Sequence, residues 1–159
     1  MATYSIMEKT LVILKPSAVQ RGLIGDIITR FERKGLHITG MKMVWLSDEL
    51  LTEHYGHLKE KSFFKRIKDA MRICPVVVMC LEGVDAVSVV RIMAGTTNSR
   101  VAAPGTIRGD FSMSIQENII HASDSLATAE IEIRRFFADD ELFEYVPQLM
   151  GSLYANDEI

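Results

Sequence analysis

The sequence predicts an α+β domain, a four-stranded antiparallel sheet with helices packed on it. Four short apolar runs are separated by segments whose apolar residues recur at helical spacing. The length of 159 residues suits one domain, so we expect a single unit over residues 1–159. The alternative is a doubly wound parallel fold. That fold would want a Gly-rich turn after the first strand, and Lys15-Pro16-Ser17 is not such a turn.

The first third of the chain contains two of the predicted strands. Residues 10–14 form a short apolar run ended by Lys15-Pro16, which predicts a buried strand. Residues 23–34 carry apolar side chains at helical spacing, and Gly35 stands where such a helix would end. Residues 38–46 predict a second strand, in which alternate side chains face opposite ways.

Two helices and a third strand follow. Ser47, with two acidic residues after it, is a typical helix start. Ser62 is expected to start a second helix, which Pro75 closes because the residue before a proline avoids the helical region. Residues 76–81 form a continuous apolar run, which predicts a strand covered on both faces. Asp85 is then expected to cap the next helix.

The last third contains an irregular segment and the fourth strand. Residues 96–117 show no sustained period, and a loop of that length in a compact domain is usually functional. Residues 118–121 predict a short strand, 124–137 a helix, and 141–150 a last amphipathic piece. The resulting order suits an antiparallel sheet with helices on one face, the split βαβ or ferredoxin-like arrangement.

Composition excludes several classes of partner. The net charge is −3, from 18 basic and 21 acidic side chains, which argues against a stable nucleic-acid or membrane partner. The first 15 residues lack the pattern of a signal peptide, so we expect a cytoplasmic protein. Cys74 and Cys80 match no zinc spacing and are expected to be reduced core thiols.

His121 is the sharpest chemical signal. It ends a short apolar strand and directly precedes a helix start, where backbone N–H groups and the helix dipole favour an anion. A neutral imidazole is an available nucleophile near pH 7, and Glu132 is a possible partner that would fix the tautomer of the ring. Because neither common phosphate-binding glycine motif occurs, phosphates would have to be held by charge, for which Lys15, Arg91 and Arg108 are candidates.

Two further features remain open to interpretation at this point. His54 and His57 could form half of a metal site, but without a third clear ligand we interpret them as helix-surface residues. Phe63 belongs to an aromatic pair at a helix start, which is usually part of a core. It could instead stack on a nucleotide base, since every base offers a π-face.

Five segments in collinear order resemble the nucleoside diphosphate kinases. They are LKP–VQRGLIG (14–25), HYGHLKEKSFF (54–64), RIMAGTTN (91–98), TIRGDF (106–111) and NIIHASDS (118–125). The match extends from about residue 9 to about residue 145 without a visible insertion. Several separate motifs in the same order are specific, whereas one alone would not be.

The resemblance implies a reversible ping-pong reaction that maintains the NTP and dNTP pools. A nucleoside triphosphate, mainly ATP, would phosphorylate His121, and a nucleoside diphosphate would then collect the group. It implies Mg²⁺ carried by the phosphates with no direct protein ligand, Asp124 lying near the metal, possibly linked through water. It also implies a ferredoxin-like fold and a homo-oligomer, with a hexamer favoured and a tetramer possible.

The resemblance also assigns the site residues by position. The catalytic set is His121, with Glu132 and Ser123 orienting its ring, together with Lys15 and Tyr55. The nucleotide-binding set comprises Lys15, Phe63, Ile67, Arg91, Thr97, Arg108, Ile115 and Asn118. Among these, Phe63 matches the residue that stacks on the base, Ile67 and Ile115 line the base slot, and Asn118 matches a ribose ligand.

Some positions depart from the pattern of the family. Ala122 replaces the glycine that usually follows the histidine, and an alanine methyl could crowd a backbone N–H next to the imidazole or require a negative φ there. Further departures are Ser17-Ala18, His57, Thr96 and Ser99. Ala122 motivates an alternative, a non-catalytic nucleotide-binding or interaction module of the same fold. Another kind of phosphohistidine enzyme is disfavoured, since no Arg-His pair stands near the N-terminus.

Overall fold

The computed structural model describes residues 7–159, and its four strands form one sheet in the order β2-β3-β1-β4. All three neighbouring pairs are antiparallel, which confirms the predicted sheet and excludes the doubly wound parallel alternative. The strands are β1 (Met7–Leu14), β2 (His37–Val44), β3 (Val76–Val84) and β4 (Ile120–Ala122).

Eight α-helices and three short 3₁₀ turns connect these strands within residues 7–159. The helices are α1 (Pro16–Gln20), α2 (Ile24–Lys34), α3 (Asp48–His54), α4 (Phe64–Ala70), α5 (Ala86–Ala94), α6 (Ile107–Phe111), α7 (Leu126–Phe136) and α8 (Met150–Leu153). The 3₁₀ turns are Gly56–Leu58, Ser99–Val101 and Asp139–Glu141. Residues 7–159 include no helix with the length and hydropathy of a membrane span.

Helices cover both faces of the sheet, so the expectation of helices on one face is wrong. Val12 and Leu14 of β1 face one core cluster, which includes buried residues of α2 and α5. Leu11 and Ile13 face a second cluster, built with α3 and α7. The central strands β1 and β3 therefore bury both of their faces, which is why residues 76–81 are continuously apolar rather than alternating.

Local signals located most helix ends correctly. Gly35 ends α2 with a φ of 105°, a conformation that glycine adopts without strain. The Ser47 hydroxyl accepts a hydrogen bond from the Leu50 N–H at the start of α3. Asp85 does precede α5, but its φ is 52° and its side chain makes no capping bond, so the predicted side-chain cap is wrong.

Both predicted ends of one helix and the predicted loop over 96–117 differ from the structure. Helix α4 starts at Phe64 rather than at Ser62 and ends at Ala70, well before Pro75. The loop over 96–117 contains the short helix α6, in which the Thr106 hydroxyl accepts from the Gly109 N–H. A five-residue helix is too short to show a period, so a pattern search cannot detect it.

The C-terminal segment corrects the last prediction. Residues 142–147 are not helical, and the helix α8 begins only at Met150. The Phe143 N–H donates to the carbonyl of Thr39 on strand β2, so this segment is held to the sheet edge in an extended form. Pro147 lacks the N–H that a helix interior needs, which opposes the predicted amphipathic helix over 141–150.

Candidate active site

The register of β4 decides which layer of the fold His121 faces. His121 lies opposite Ile13 of β1, and residues directly opposite in an antiparallel pair share a face. Ile13 belongs to the core cluster built with α3 and α7. The neighbours Ile120 and Ala122 point the other way, into the cluster under α2 and α5. The imidazole is therefore presented to side chains from α3 and α7.

Glu132 of α7 meets His121 in this layer. The His121 Nε2 atom lies 2.5 Å from the Glu132 Oε2 atom, and Glu132 is only 2 % exposed. A carboxylate can only accept, so the proton of the ring lies on Nε2. The Nδ1 atom then keeps its lone pair. The geometry therefore leaves Nδ1 as the ring nitrogen that can act as a nucleophile, which the sequence could suggest only as a possibility.

The cationic side chains converge beside His121. Lys15, Arg91 and Arg108 line one cavity of about 720 Å³ together with His121 and Asp124, and we call this the polar cavity. Three elements that are distant in sequence, the end of β1, helix α5 and helix α6, contribute the three cations. This convergence could not be inferred from spacing.

Arg108 is fixed by the backbone, whereas Arg91 is not. Arg108 donates to the carbonyls of Gly95 and Ile120, both at 2.7 Å, and to that of Asn118 at 3.3 Å. Burial, with the charge of Arg91, lowers the pKa of Arg108 to about 10, so the guanidinium stays charged near neutral pH. The Arg91 side chain makes no hydrogen bond or ion pair with any of residues 7–159, and its guanidinium donors remain available to a ligand.

Lys15 is held by the side chain of Asn118, and burial lowers its pKa. Its Nζ atom donates to the Asn118 Oδ1 atom at 2.6 Å, and Asn118 in turn donates to the carbonyls of Thr97 and Ile115. Burial lowers the pKa of Lys15 to about 8, with a further decrease from Arg108 and a partial offset from Glu117. Asn118 thus joins the end of β1 to the irregular segment.

A second cavity of about 420 Å³ adjoins the first, and we call it the apolar slot. Phe63, Ile67 and Ile115, which the resemblance places around the base, line this cavity. Four residues line both cavities and connect them: Lys15, Tyr55, Thr97 and Asn118. Phe63 therefore belongs to the wall of a ligand site rather than to a core, and it is 36 % exposed.

Tyr55 and Asp124, which the resemblance places in the site, also line the polar cavity. Tyr55 is buried at the junction of the two cavities, and its burial, with the nearby charge of Glu132, raises the pKa of its hydroxyl. Asp124 lines the polar cavity at the start of α7. Hydrogen bonds from Thr128 and Ser125, together with the charge of Arg91, lower the pKa of Asp124 and keep it ionised.

Ser123 is the predicted site residue that the structure does not bring to the ring. It is fully buried, and its hydroxyl accepts from the Leu11 N–H at 3.3 Å. Within residues 7–159 no recorded hydrogen bond joins Ser123 to His121 or to Glu132, and the Glu132 Oε1 atom is buried without a partner.

Ala122 causes none of the expected crowding. It lies in strand β4 with its methyl in the core cluster on the face opposite His121. Asp85 and Ile119 are the non-glycine residues with a positive φ in the described part of the chain, and Ala122 is not among them. The feature that motivated a non-catalytic alternative is therefore sterically harmless.

His54 was wrongly interpreted as a helix-surface residue. It is 6 % exposed, and its ring packs edge-on against that of His121 with the centroids 4.7 Å apart. The sequence did contain a signal, because Leu51, His54 and Leu58 follow the apolar stripe of α3 into the next turn. His57, by contrast, is exposed, as expected.

Several cavity residues were missed altogether. Arg135 lines the polar cavity, whereas Arg66, Gln116 and Glu117 line the apolar slot. Each stands among other charged or polar residues of a helix or loop. No sequence pattern marks them, because their position depends on how α4, α7 and the irregular segment fold over the sheet.

Fold and site together define a class of protein. A buried carboxylate holds a neutral histidine beside three cations, and an apolar slot large enough for a base opens next to them. Such a site in an α+β sandwich is typical of a phosphotransferase that acts on nucleotides.

Comparison with known proteins narrows this class to one family. The family model described as nucleoside diphosphate kinase matches residues 8–142. A nucleoside diphosphate kinase of Parabacteroides distasonis is 73 % identical over 152 residues, which covers 96 % of this chain and 99 % of that protein. The enzyme of Pyrococcus horikoshii is 59 % identical over 141 residues, covering 87 % and 90 % of the two chains.

Solved structures agree with this result. The halophilic nucleoside diphosphate kinase of Halobacterium salinarum, solved in complex with CDP, superposes with a TM-score of 0.92 at 43 % identity, covering 94 % of this chain and 99 % of that one. The Borrelia burgdorferi enzyme, solved as a transition state mimic with vanadate and ADP, gives 0.86 at 36 % identity, with coverages of 92 % and 96 %.

The chain belongs to the nucleoside diphosphate kinase family. It is an enzyme that transfers phosphoryl groups between nucleotides, and the predicted fold and activity are both confirmed. Proteins of this family bind nucleotides, and kinases of this kind generally need a divalent metal ion.

Proposed function

We propose that His121 carries the phosphoryl group in a two-step exchange between nucleoside triphosphates, mainly ATP, and nucleoside diphosphates. The observation that carries this proposal is the 2.5 Å contact between the His121 Nε2 atom and the Glu132 Oε2 atom. That contact leaves the Nδ1 lone pair as the nucleophile, and the ring lies on the same cavity as Lys15, Arg91 and Arg108.

In the first step the Nδ1 lone pair of His121 forms a bond to the γ-phosphorus. The bond from that phosphorus to its bridging oxygen breaks, and the nucleoside diphosphate leaves with the electron pair. The ring then carries positive charge, which the buried Glu132 carboxylate stabilises through the Nε2–H. In the second step a terminal oxygen of another nucleoside diphosphate attacks the same phosphorus, and the N–P bond breaks to restore the neutral imidazole.

Positioning and charge supply most of the catalysis in such a reaction. Arg108 is already held by three carbonyls, so little of its conformational freedom is lost when a nucleotide binds. Lys15 and Asn118 meet at the junction of the two cavities, a position suited to the ribose and its nearest phosphate. Arg91 has its donors unoccupied within the described chain and suits the outermost phosphate.

The apolar slot suits the base. Phe63 on one wall and Ile115 on another offer surfaces on which a base can stack, and stacking accepts every base because each has a π-face. A slot that relied on hydrogen bonds to the base edge would reject mismatched bases strongly. We therefore expect an enzyme that exchanges phosphoryl groups among several nucleoside di- and triphosphates.

The residues of the polar cavity fit Mg²⁺ bound to a nucleotide. Mg²⁺ usually keeps several waters and takes one or two carboxylates plus substrate phosphates, and Asp124 supplies one ionised carboxylate beside Arg91. When bound, the ion would neutralise part of the phosphate charge. Asp124 would hold the ion through water, while the protein cations keep the phosphates in place.

The proposed intermediate can be detected directly by labelling. With γ-labelled ATP and Mg²⁺, the protein should gain a phosphate that acid removes and base does not, and His121→Ala should gain none. His37→Gln is a matched control, since His37 pairs with Glu82 and lines neither cavity. Labelling of His121→Ala at the wild-type level would refute the assignment. Normal nucleotide affinity without transfer to GDP would instead establish the non-catalytic alternative.

We also propose that the chain assembles into a homo-oligomer, with a hexamer favoured and a tetramer possible. Met41, Met43 and Trp45 lie in and just beyond the edge strand β2 and are more than half exposed. A row of exposed apolar side chains at a sheet edge is typical of an interaction surface. Light scattering of the purified protein would measure the assembly. The cytoplasmic location stays a prediction.

A further inference from the structure

His54 lies between the guanidinium of Arg135 and the catalytic pair. Its Nδ1 atom is 3.1 Å from an Arg135 terminal nitrogen and 3.4 Å from the Glu132 Oε2 atom. That same carboxylate oxygen is 2.5 Å from the Nε2 atom of His121. One oxygen therefore faces two imidazoles, and a single arginine contacts the second of them.

The contact with Arg135 fixes the tautomer of His54. An arginine has only donors, so the Nδ1 atom that it contacts must be an acceptor. The 3.1 Å contact satisfies hydrogen-bond geometry, whereas 3.4 Å to Glu132 is long for an N–H···O bond. His54 is therefore neutral, with its proton on Nε2, and offers no proton to Glu132.

This arrangement matters because the Glu132 Oε2 atom accepts the short hydrogen bond from His121 that supports the reaction. If His54 carried a proton on Nδ1, that N–H would compete with His121 for the same oxygen. A competing donor would reduce the electrostatic stabilisation that the Glu132 carboxylate gives to the His121 ring. The carboxylate would then stabilise the phosphorylated, positively charged ring less well.

We propose that Arg135 is a positioning residue that keeps the Nδ1 atom of His54 free of a proton. The Glu132 Oε2 atom then accepts a hydrogen bond from His121 and none from His54. The inference rests on the proposed role of His121 as the phosphoryl carrier. Arg135 is itself anchored, since its Nε atom donates to Glu53 at 3.1 Å and its side chain is 14 % exposed. The guanidinium of Arg135 thus contacts His54 from a fixed direction.

The surrounding charges act in the same direction as the Arg135 contact. Burial lowers the pKa of His54 to about 2, with further decreases from His121, Arg135, His57 and Lys15. These groups come from β4, α7, the 3₁₀ turn after α3, and the end of β1.

Opposing charge and the ring contacts complete the environment of His54. Glu132 is the acidic group within reach of the imidazole, and Glu53 is bonded to Arg135 rather than to His54. The rings of Tyr55 and Phe136 pack edge-on against His54 and exclude water.

Nitrogen NMR of histidine-labelled protein tests the tautomer without any activity. In the wild type, the His54 Nδ1 atom should keep the shift of an unprotonated nitrogen from about pH 5 to about pH 8. In Arg135→Met the ring should stay neutral but carry its proton on Nδ1, because the Arg135 donor is then absent and the Glu132 Oε2 atom lies 3.4 Å away. Arg134→Met is the matched control, because Arg134 is the exposed neighbour on the same helix. A wild-type His54 that titrates within the range, or carries its proton on Nδ1, overturns the proposal even if no variant folds.

Phosphorylation kinetics test the consequence. Arg135→Met should slow phosphorylation of His121 about tenfold, because a proton on the His54 Nδ1 atom would compete with His121 for the Glu132 Oε2 atom. Arg135→Lys should recover most of the rate, since an ammonium also donates to Nδ1. The effect of Arg135→Met should disappear in a His54→Phe background, as expected for residues that act through each other.

Two kinetic outcomes would overturn the inference. If Arg135→Met raised KM for ATP and left the rate of phosphorylation at saturating ATP unchanged, Arg135 would be a direct ligand of the nucleotide. Equal effects of Arg135→Met with and without His54 would show that the two side chains act independently. Labelling of His121→Ala would refute the proposed function instead, and the NMR result would still stand.

Discussion

The two ends of the nucleotide site are built in opposite ways. In the polar cavity two side chains have fixed partners: Arg108 is held by three carbonyls and His121 by a buried carboxylate. In the apolar slot Phe63 and Ile115 are 36 % and 51 % exposed, and they come from a short helix start and from a loop. Side chains with fixed partners lie where the phosphoryl group is transferred, and partly exposed side chains lie where the base would bind.

This difference follows from what each end must do. Charge that develops during phosphoryl transfer is stabilised only by groups that are already oriented, because reorientation would cost free energy at the moment of reaction. A base that is held by stacking needs no fixed partner. Changes at the polar cavity should therefore lower the rate for every nucleotide, and changes at the apolar slot should mainly lower affinity.

The largest effect is expected from the buried carboxylate. Glu132→Gln keeps the shape and an acceptor oxygen but removes the negative charge that stabilises the phosphorylated ring. We expect phosphorylation to slow by about 100-fold or more, in line with the loss of one preorganised electrostatic group. KM for ATP should change little, since Glu132 lies behind the imidazole. Rapid-quench kinetics would measure both.

Glu130→Gln is the matched control on the same helix, because Glu130 is exposed. If Glu132→Gln kept more than half of the wild-type rate, preorganisation of the polar cavity would not be the source of catalysis.

The next effect concerns pH and the Lys15 ammonium. Because burial lowers the pKa of Lys15 to about 8, the positive charge is present below that pH and lost above it. The value of kcat/KM for ATP should therefore fall about tenfold per pH unit in the alkaline range, since this ratio reports the free enzyme. Bound phosphates favour the charged form, so kcat should fall only at higher pH.

A pH titration of initial rates would measure this decline. In Lys15→Arg the decline should disappear, because a guanidinium stays charged throughout the range. An unchanged decline in that variant would show that another group is titrating.

The smallest effect is expected at the apolar slot. Phe63→Ala removes one stacking surface that is already 36 % exposed. We expect nucleotide affinity to weaken by about 1 kcal/mol, roughly fivefold, and by similar factors for ADP, GDP and CDP. Calorimetric titration would measure this. Phe143→Ala is the control, because Phe143 is exposed and lines neither cavity.

A loss confined to one base would contradict the picture of a permissive slot. It would point instead to edge contacts from Arg66 or Gln116, the polar side chains of the same slot. If Phe63→Ala lowered the maximal rate without weakening affinity, the proposed difference between the polar cavity and the apolar slot would be wrong.

Much of the fold could be predicted from local patterns. The strands at 10–14 and 76–81 are continuous apolar runs, and the helix over 23–34 has a clear period and a glycine end. Patterns failed where the governing contact is distant. The segment over 141–150 has helical spacing, yet a hydrogen bond to Thr39 and the presence of Pro147 keep its first part extended.

The candidate site divides in the same way. Residues with a strong local signal, such as His121 at its strand end, were identified from the residues themselves. His54 was misassigned because a histidine on an amphipathic helix can face either side. Arg135 was missed because an arginine among exposed charges has no distinguishing pattern. Both depend on how α3 and α7 pack against the same face of the sheet.

The sequence by itself determined the order of elements, the identity of the histidine and the cations, and the family to which they belong. These properties depend on residue type and on spacing along the chain, which the sequence states directly. Only the tertiary structure decided that β4 pairs with β1 in the register that turns His121 toward Glu132 and His54. Register and helix packing arise from contacts between residues about 100 positions apart. Such contacts produce no pattern among neighbouring residues, so they cannot be read from the sequence.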